Sequence, residues 1–159
     1  MTQTQSRKDL LLMSYFRKNS RENLTRISRQ TQIPVSTIFD KLRIFEKNLI
    51  RRYTALIDFK KVGFDIKIHM LFKLEKEKKE EFKNFLLKNF NVNSIFKVNN
   101  GFDFLIEGIF KDMDDLNKFI EQLDQFKIIN RQELFILEDI KREAFLSDSL
   151  HADILYQDS

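Results

Sequence analysis

The chain has 159 residues, a formal net charge of +4 and no cysteine. This length allows one domain or two small ones, and 42% hydrophobic with 33% charged residues is typical of globular rather than disordered proteins. The lack of cysteine excludes a disulfide framework, a thiol nucleophile and a thiolate metal site. No apolar run has the length of a membrane span, and the N-terminus lacks the apolar core of a signal peptide, so we expect a cytoplasmic protein with no membrane partner.

The charge is unevenly divided along the chain. Residues 1–62 carry 14 Lys or Arg against five Asp or Glu, whereas residues 63–159 carry 14 against 19. Summed charge says little about fold but does bear on partners. We therefore expect a polyanion-binding head, residues 1–62, followed by a body, residues 63–145, with another role, and by an acidic C-terminal tail, residues 146–159.

Three helices are predicted in the head. Ser6 and Asp9 have the spacing of a capping box before a first helix, and Asn23 is the expected N-cap of a second. After a short turn, Pro34 is expected at the first position of a third helix, where its missing N–H would have no partner anyway. Two short helices, a tight turn and a third helix with a polar outer face make the arrangement of a helix-turn-helix.

The predicted third helix has two chemically different faces. Its apolar residues recur at spacings of four, three and four, at Ile38, Leu42, Phe45 and Leu49. Hydroxyls, an acid and bases occupy the remainder, at Ser36, Thr37, Asp40, Lys41, Arg43 and Lys47. A helix that docks by one face and offers such groups on the other can enter a DNA major groove. The alternative is a surface helix with a solvated charged face, and this segment alone does not separate the two.

A turn and a strand are predicted after the third helix. Asn48 is expected to be left-handed, because Asn is the best substitute for Gly in that conformation. The alternation over Leu49–Ile57 predicts a strand, which makes the helix-turn-helix a winged one. Arg51 and Arg52 at its start are expected to hold DNA phosphates together with Lys47, and such contacts position a protein without reading sequence.

A four-stranded sheet with two helices is predicted in the body. Strands are expected over residues 65–74, 92–99, 102–110 and 128–138, with amphipathic helices after the first and the third. Asn99, Asn100 and Gly101 predict a tight hairpin turn between the middle strands. The order is that of the ferredoxin-like βαββαβ unit, so the predicted fold class is α+β.

Several of these strands are apolar on both sides. In the third strand Leu105 and Ile109 alternate with Phe104 and Ile106. The two helices of a ferredoxin-like unit cover a single face of the sheet, so the second apolar face needs another cover. A second copy of the same sheet is the simplest cover, which predicts a homodimer.

Spaced motifs along residues 7–145 carry a resemblance to a known family. They lie in the predicted helices of the head, at the junction of head and body, and in the hairpin, at Asp9, Leu12, Met13, Phe16, Arg21, Leu24, Ile27, Ser28, Ile33–Leu42, Asn48–Ile50, Tyr53–Ala55, Asp58–Gly63 and Gly101–Leu105. Their order and spacing resemble the Lrp/AsnC (leucine-responsive, feast/famine) transcriptional regulators. The chain departs from the family pattern at Pro34, Lys41 and Asn48, where Ser or Thr, Arg and Gly are usual.

The resemblance implies a sequence-specific regulator that binds double-stranded DNA as a dimer, tetramer or octamer. Its ferredoxin-like (RAM-type) body would then serve dimerisation and respond to an amino acid or other small effector. On the third helix, Ser36, Thr37, Asp40, Lys41 and Arg43 are expected to face base edges. Gly101 and Asp103 match the family's hairpin motif beside its effector pocket. The alternative is that these two residues serve only the hairpin turn.

Two other functions stay open at the level of the sequence. One is an architectural protein that coats DNA without sequence preference. The other is an enzyme with the same fold, similar to sirohaem decarboxylases. Such an enzyme would need a substrate cleft rich in His and Arg. The body contains only Arg131 and Arg142 as arginines, and neither His69 nor His151 lies in a motif with ligand spacing. We therefore expect no catalytic residue, no metal site and no cofactor.

Overall fold

A computed structural model of the protein describes residues 6–150 and residue 154. Three helices are followed by a βαββαβ succession: α1 Arg7–Lys18, α2 Leu24–Thr31, α3 Val35–Asn48, β1 Ile66–Leu74, α4 Lys79–Lys88, β2 Val92–Lys97, β3 Phe104–Phe110, α5 Met113–Leu123 and β4 Ile128–Phe135. The α+β fold class and the ferredoxin-like order are thus confirmed. Within the described ranges, no helix is both long and apolar enough to cross a membrane.

The described residues divide into two compact units. The helical unit lies within Met1–Ala55 and Ile140–Ser159, and the sheet unit is Leu56–Asp139. Compactness within one chain does not establish that a segment folds independently, so the domain limits at residues 62 and 145 stay predictions. The prediction for the tail falls mostly on residues 151–153 and 155–159, which lie outside the described residues.

Local capping residues begin the first two helices as the sequence predicts. The Ser6 hydroxyl accepts a hydrogen bond from the Asp9 amide at 3.2 Å, and the Ser6 amide donates back to the Asp9 carboxylate at 3.3 Å. The Asn23 side chain accepts from the Thr25 amide at 2.8 Å. The three helices enclose a small apolar core of Leu12, Phe16, Ile27, Ile33, Ile38 and Phe45.

Both ends of α3 differ from the prediction. Pro34 is the N-cap, with φ −55° and ψ 141°, and the helix begins at Val35. Asn48 is the last helical residue and is not left-handed; the left-handed position in this region is Gln32, with φ 58°. No left-handed residue is needed after α3, because the Leu49 and Ile50 amides both donate to the Phe45 carbonyl, at 2.8 and 2.7 Å.

The strand predicted over Leu49–Ile57 does not form in the structure. Between α3 and β1, the only regular element in the described chain is a 3₁₀ turn at Phe59–Val62. A strand requires a neighbour for its backbone hydrogen bonds, and none pairs with this segment within the described residues. The prediction of a wing is therefore wrong for the described single chain.

The sheet has strand order β2-β3-β1-β4 with antiparallel pairing throughout. Side chains on one face of β1 and β3 pack beneath α4 and α5, forming a core that includes Ile68, Met70, Phe72, Phe82, Leu86, Ile106, Phe110, Leu116 and Phe119. The predicted hairpin turn is confirmed, since Asn100 and Gly101 have φ values of 58° and 88°.

The other face of the sheet, here called the open sheet face, is the one that α4 and α5 leave uncovered. Cross-strand register places Leu71 opposite Leu105, Leu105 opposite Phe96, and His69 opposite Leu134. Phe96 and Leu134 are 53% and 52% exposed. The second apolar face inferred from the sequence is therefore present in the single chain.

A buried charge lies within the open sheet face. Glu107 is only 7% exposed, and its carboxylate lies 3.4 Å from both Lys67 Nζ and His69 Nε2. Asn93 also donates to it, and Lys67 is held in addition by Asp139 at 2.6 Å. These contacts compensate the cost of burying the carboxylate.

Candidate nucleic-acid interface

Four polar side chains form one outward stripe on α3. Ser36, Asp40, Arg43 and Lys47 follow one another at four, three and four residues, and all are exposed. On the opposite side of the helix, Ile38 and Phe45 are 0% and 1% exposed. Because residues three and four apart share a helix face, the four polar residues form a continuous strip that points away from the core. We call it the α3 stripe.

Thr37 and Lys41 lie outside the α3 stripe. Thr37 is exposed but stands on its flank, one residue from the buried Ile38. Lys41 is half-buried, and its ammonium lies 2.8 Å from the carboxylate of Asp9, a residue of α1 that is 7% exposed. Lys41 therefore ties α3 to α1, and the structure does not bring it together with the stripe.

The Asp9 carboxylate is kept charged by its partners. Burial acts to raise its pKa, but hydrogen bonds from Lys41 and Ser6, together with the Lys41 charge, outweigh burial and hold the pKa below the usual range of aspartate. The same carboxylate closes the capping box of α1. The Asp9 carboxylate thus caps the start of α1 and also fixes the position of α3 through Lys41.

The cations at the end of α3 remain available to an outside anion. Lys47, Arg51 and Arg52 are all exposed, as is Arg43 on the stripe. None of these four pairs with a carboxylate among the residues that the structure describes. Unpaired cations beside a recognition surface are the groups that neutralise phosphates and release their counterions.

The chain leaving α3 is held against the helix by one side-chain bond. The Tyr53 hydroxyl donates to the Glu46 carboxylate at 2.9 Å. Burial and the adjacent carboxylate raise the pKa of Tyr53 to about 12, so the phenol stays protonated and remains a donor. This bond limits where Arg51 and Arg52 can lie relative to α3.

Phe39 is not among the α3 residues predicted from the sequence to face DNA. Its side chain is 50% exposed, and Arg43 Cζ lies 6.0 Å from the centroid of its ring. Its spacing in the sequence could have indicated this position, because Phe39 comes three residues after Ser36 and four before Arg43 and is therefore a neighbour of both on the helix surface.

Gly101 and Asp103 are occupied by the hairpin itself. Gly101 has φ 88°, a conformation that favours glycine. The Asp103 carboxylate accepts from the Leu74 amide at 3.0 Å and from Lys79 Nζ at 2.6 Å, with Lys73 Nζ at 3.8 Å. Burial acts to raise the pKa of Asp103, but the Leu74 amide and the two lysines outweigh it and lower the pKa.

One depression of the sheet unit lies away from the hairpin turn. A depression of about 450 Å³ contains neither Gly101 nor Asp103, and is lined by Leu123, Asp124, Phe126, Ile128, Ile129, Asn130 and Arg131. Across the described part of the chain, no three His, Asp or Glu side chains are grouped as a metal would need. His69 lies beside Glu107, and His151 falls outside the described residues.

Comparison with known proteins finds a family model that matches the body and relatives of low identity that span most of the chain. Residues 68–145 match the model of the Lrp/AsnC ligand binding domain. An HTH-type transcriptional regulator of Pyrococcus abyssi is 20% identical over 138 residues, covering 86% of this chain and 94% of the relative. The HTH-type transcriptional regulator FL11 of Pyrococcus furiosus is 21% identical over 136 residues, covering 85% and 90%.

Solved structures of similar fold cover most of the chain. A transcriptional regulator of Neisseria meningitidis, solved as its L-Met complex, has a TM-score of 0.80 at 22% identity and covers 87% of this chain and 94% of its own. LrpC of Bacillus subtilis has a TM-score of 0.78 at 16% identity, with coverage of 88% and 99%. At these identities the likeness shows the fold.

Proposed function

Because the chain belongs to the Lrp/AsnC family of transcriptional regulators, we propose that it binds double-stranded DNA sequence-specifically and regulates transcription. The α3 stripe is the observation that carries this proposal. It sets a hydroxyl, a carboxylate and a guanidinium on one exposed line of a helix whose other side is packed. Major-groove base edges are read by groups of this kind.

We assign different roles to the polar residues of α3 and its exit. Arg43 donates to guanine, Asp40 accepts from cytosine, and Ser36 and Thr37 contact base edges near the start of the helix. Phosphates are held by Lys47, Arg51 and Arg52. Lys41 acts indirectly, because its bond to Asp9 fixes the position of α3 on α1.

A homodimer is part of the proposal. The open sheet face exposes Phe96 and Leu134 around a satisfied buried charge, which suits a second copy of the same face. Two helix-turn-helix units in one dimer would enter successive major grooves roughly 34 Å apart. A mass measurement in solution distinguishes this dimer from a tetramer or an octamer.

An amino-acid effector is the second part of the proposal. The Neisseria meningitidis regulator was solved with L-Met, and residues 68–145 of this chain match a ligand binding domain. For Gly101 and Asp103, the contacts described above support a turn-stabilising role, with effector contact as the alternative. An Asp103→Asn variant that keeps its thermal stability but loses its response to the effector would support effector contact.

Selection of bound DNA from a random pool, with and without a panel of amino acids, tests the proposal. We expect enrichment of one sequence with related half-sites about one DNA turn apart. A pool that stays random after several rounds would overturn sequence-specific binding. A sequence that is enriched equally in the presence of every amino acid would overturn the effector alone.

No specific observation favours the other two functions. An architectural protein would bind the unselected pool as strongly as the selected one. An enzyme similar to sirohaem decarboxylases would need a cleft with His and Arg, whereas His69 and Arg131 are paired with Glu107 and Glu133 in the sheet unit. A cytoplasmic location follows from the proposed role and stays part of the proposal.

A further inference from the structure

Large apolar side chains are exposed on α3 and not on the other two helices of the head. Val35, Phe39 and Ile44 are 40%, 50% and 51% exposed, whereas α1 and α2 have no exposed large apolar side chain among their described residues. Val35 and Phe39 are four residues apart and so are neighbours on one side of α3, whereas Ile44 lies on the other flank of the helix. Solvent exposure of such groups is unfavourable, so the pair of Val35 and Phe39 indicates a surface that becomes covered.

The ring of Phe39 belongs to the surface that carries the α3 stripe. Ser36 is three residues before it and Arg43 is four residues after it, so both are its neighbours on the helix. Side chains in a helix lean toward its N-terminus, which brings Arg43 back over Phe39 and Phe39 toward Ser36. The distance of 6.0 Å between Arg43 Cζ and the ring centroid agrees with this geometry.

The core beneath α3 does not account for the position of this ring. Ile38 and Phe45 are 0% and 1% exposed and occupy the packed side of the helix. The contact with Arg43 covers one side of the Phe39 ring only loosely, because 6.0 Å is the outer limit of a cation–π contact. Half of the side chain is left to water in the free protein.

We propose that Phe39 is a specificity-determining residue that recognises thymine through the 5-methyl group in the major groove. The inference rests on the proposed function, because it requires α3 to enter that groove. Thymine is the one base that presents a methyl group there, and an apolar side chain beside it distinguishes T from C without any hydrogen bond. The recognised thymine lies next to the base that Arg43 contacts, since the two side chains are adjacent on the helix.

Replacement of thymine by deoxyuridine tests the methyl contact directly. Starting from the selected site, each thymine is replaced in turn, and affinity is measured for the wild type, Phe39→Ala and Phe39→Leu. We expect one thymine per half-site at which loss of the methyl group lowers the DNA affinity of the wild type by about fourfold. This factor corresponds to the free energy of burying one methyl-sized group. The same replacement should leave the DNA affinity of Phe39→Ala unchanged and lower that of Phe39→Leu by an intermediate factor.

Controls separate this inference from the proposed function. Phe90→Ala removes a phenylalanine of the sheet unit that is even more exposed than Phe39, at 83%, and its DNA affinity should respond to deoxyuridine as that of the wild type does. Equal losses for the wild type and Phe39→Ala at every thymine would overturn the inference while leaving DNA binding intact. A change in self-association of Phe39→Ala with no change in thymine dependence would also overturn it and assign the ring to a protein contact. Failure of the wild type to prefer any sequence would overturn both proposals.

Discussion

Lys41 and Arg43 are cations of α3 only two residues apart, and their surroundings differ. Lys41 lies 2.8 Å from the buried Asp9, whereas Arg43 is exposed and lies over the ring of Phe39. Two residues correspond to more than half a helical turn, so neighbouring side chains of one type can point in nearly opposite directions. The direction of each side chain therefore decides whether it supports the helix or contacts a ligand.

Asp9→Asn should lower the free energy of unfolding by about 1 kcal/mol at pH 7, a small value because Lys41 is partly exposed and its attraction is screened. Folding lowers the pKa of Asp9, so its contribution is complete above the unfolded pKa of about 3.9 and is lost as the pH falls through the folded value. The difference from the wild type should consequently shrink below about pH 4. Urea unfolding between pH 3 and 7 measures it, with the exposed Asp40→Asn as the neutral control. A difference that is independent of pH would contradict the assigned ion pair.

Arg52→Ala and Arg43→Ala should impair DNA binding in different ways. Loss of a phosphate contact weakens binding to all sequences alike and lowers the salt slope by about one, which we expect for Arg52. Loss of a base contact relaxes preference at one position by about 1–3 kcal/mol, which we expect for Arg43. Titrations at several salt concentrations measure both, and Lys88→Ala in α4 is the control for removing an exposed cation. The same change in both variants would remove the distinction between their roles.

At the scale of single elements, local chemistry was readable from the sequence. The capping box at Ser6, the cap at Asn23 and the turn at Asn100 and Gly101 involve residues within four positions of one another. The Asp112 cap of α5 is of the same kind. Such signals depend on the chain near them and need no tertiary contact.

Elements that depend on distant partners were predicted less well. The alternation over Leu49–Ile57 is typical of a strand, but pairing needs a neighbour that the pattern does not identify. All four residues of the α3 stripe were among those predicted to contact DNA, but Thr37 and Lys41, predicted with them, lie outside the stripe. Lys41 is oriented by Asp9, a partner on another helix that the helical spacing of α3 does not identify. Leu49, expected in the apolar stripe, lies beyond the end of α3 and is 43% exposed.

Gly108 is a packing requirement of β3. A Cβ atom at this position would lie 2.6 Å from a ring carbon of Phe110, which is 0% exposed, so the ring would have to move. Gly108→Ala should therefore destabilise the sheet unit by about 2 kcal/mol. Thermal and urea unfolding measure the effect. In the double variant with Phe110→Leu, the smaller side chain at position 110 relieves the clash. The double variant should therefore lose less unfolding free energy than the sum of the two single losses, and strict additivity would refute the contact.

At the scale of the whole molecule, a basic head and an exposed apolar sheet face are present in the same chain. Residues 1–62 have 14 cations against five anions, which draws the head toward DNA but does not choose a sequence. A dimer would contribute two α3 stripes, so a DNA site would have to match both of them at once to be bound tightly. Sequence preference in this protein should therefore depend on both surfaces.

Leu134→Lys should break the dimer. Leu134 is 52% exposed on the open sheet face and faces His69 across the strand pair, so a buried lysine there would lack a partner. We expect the dimer dissociation constant to rise at least about tenfold and DNA affinity to fall with it. Sedimentation measures the first effect. The control is Leu87→Lys on α4, which is 64% exposed and should leave the assembly unchanged; dissociation by both variants, or by neither, would contradict the assigned interface.

The central claim, that this protein reads DNA sequence, is tested most directly by one ratio. The dissociation constants for the selected site and for random duplex DNA of equal length should be measured at the same ionic strength, near 0.15 M, where non-specific attraction is screened as in cells. We predict that the selected site binds about 10³-fold more tightly or better. Equal dissociation constants for the two duplexes would contradict the claim and favour an architectural DNA-binding protein.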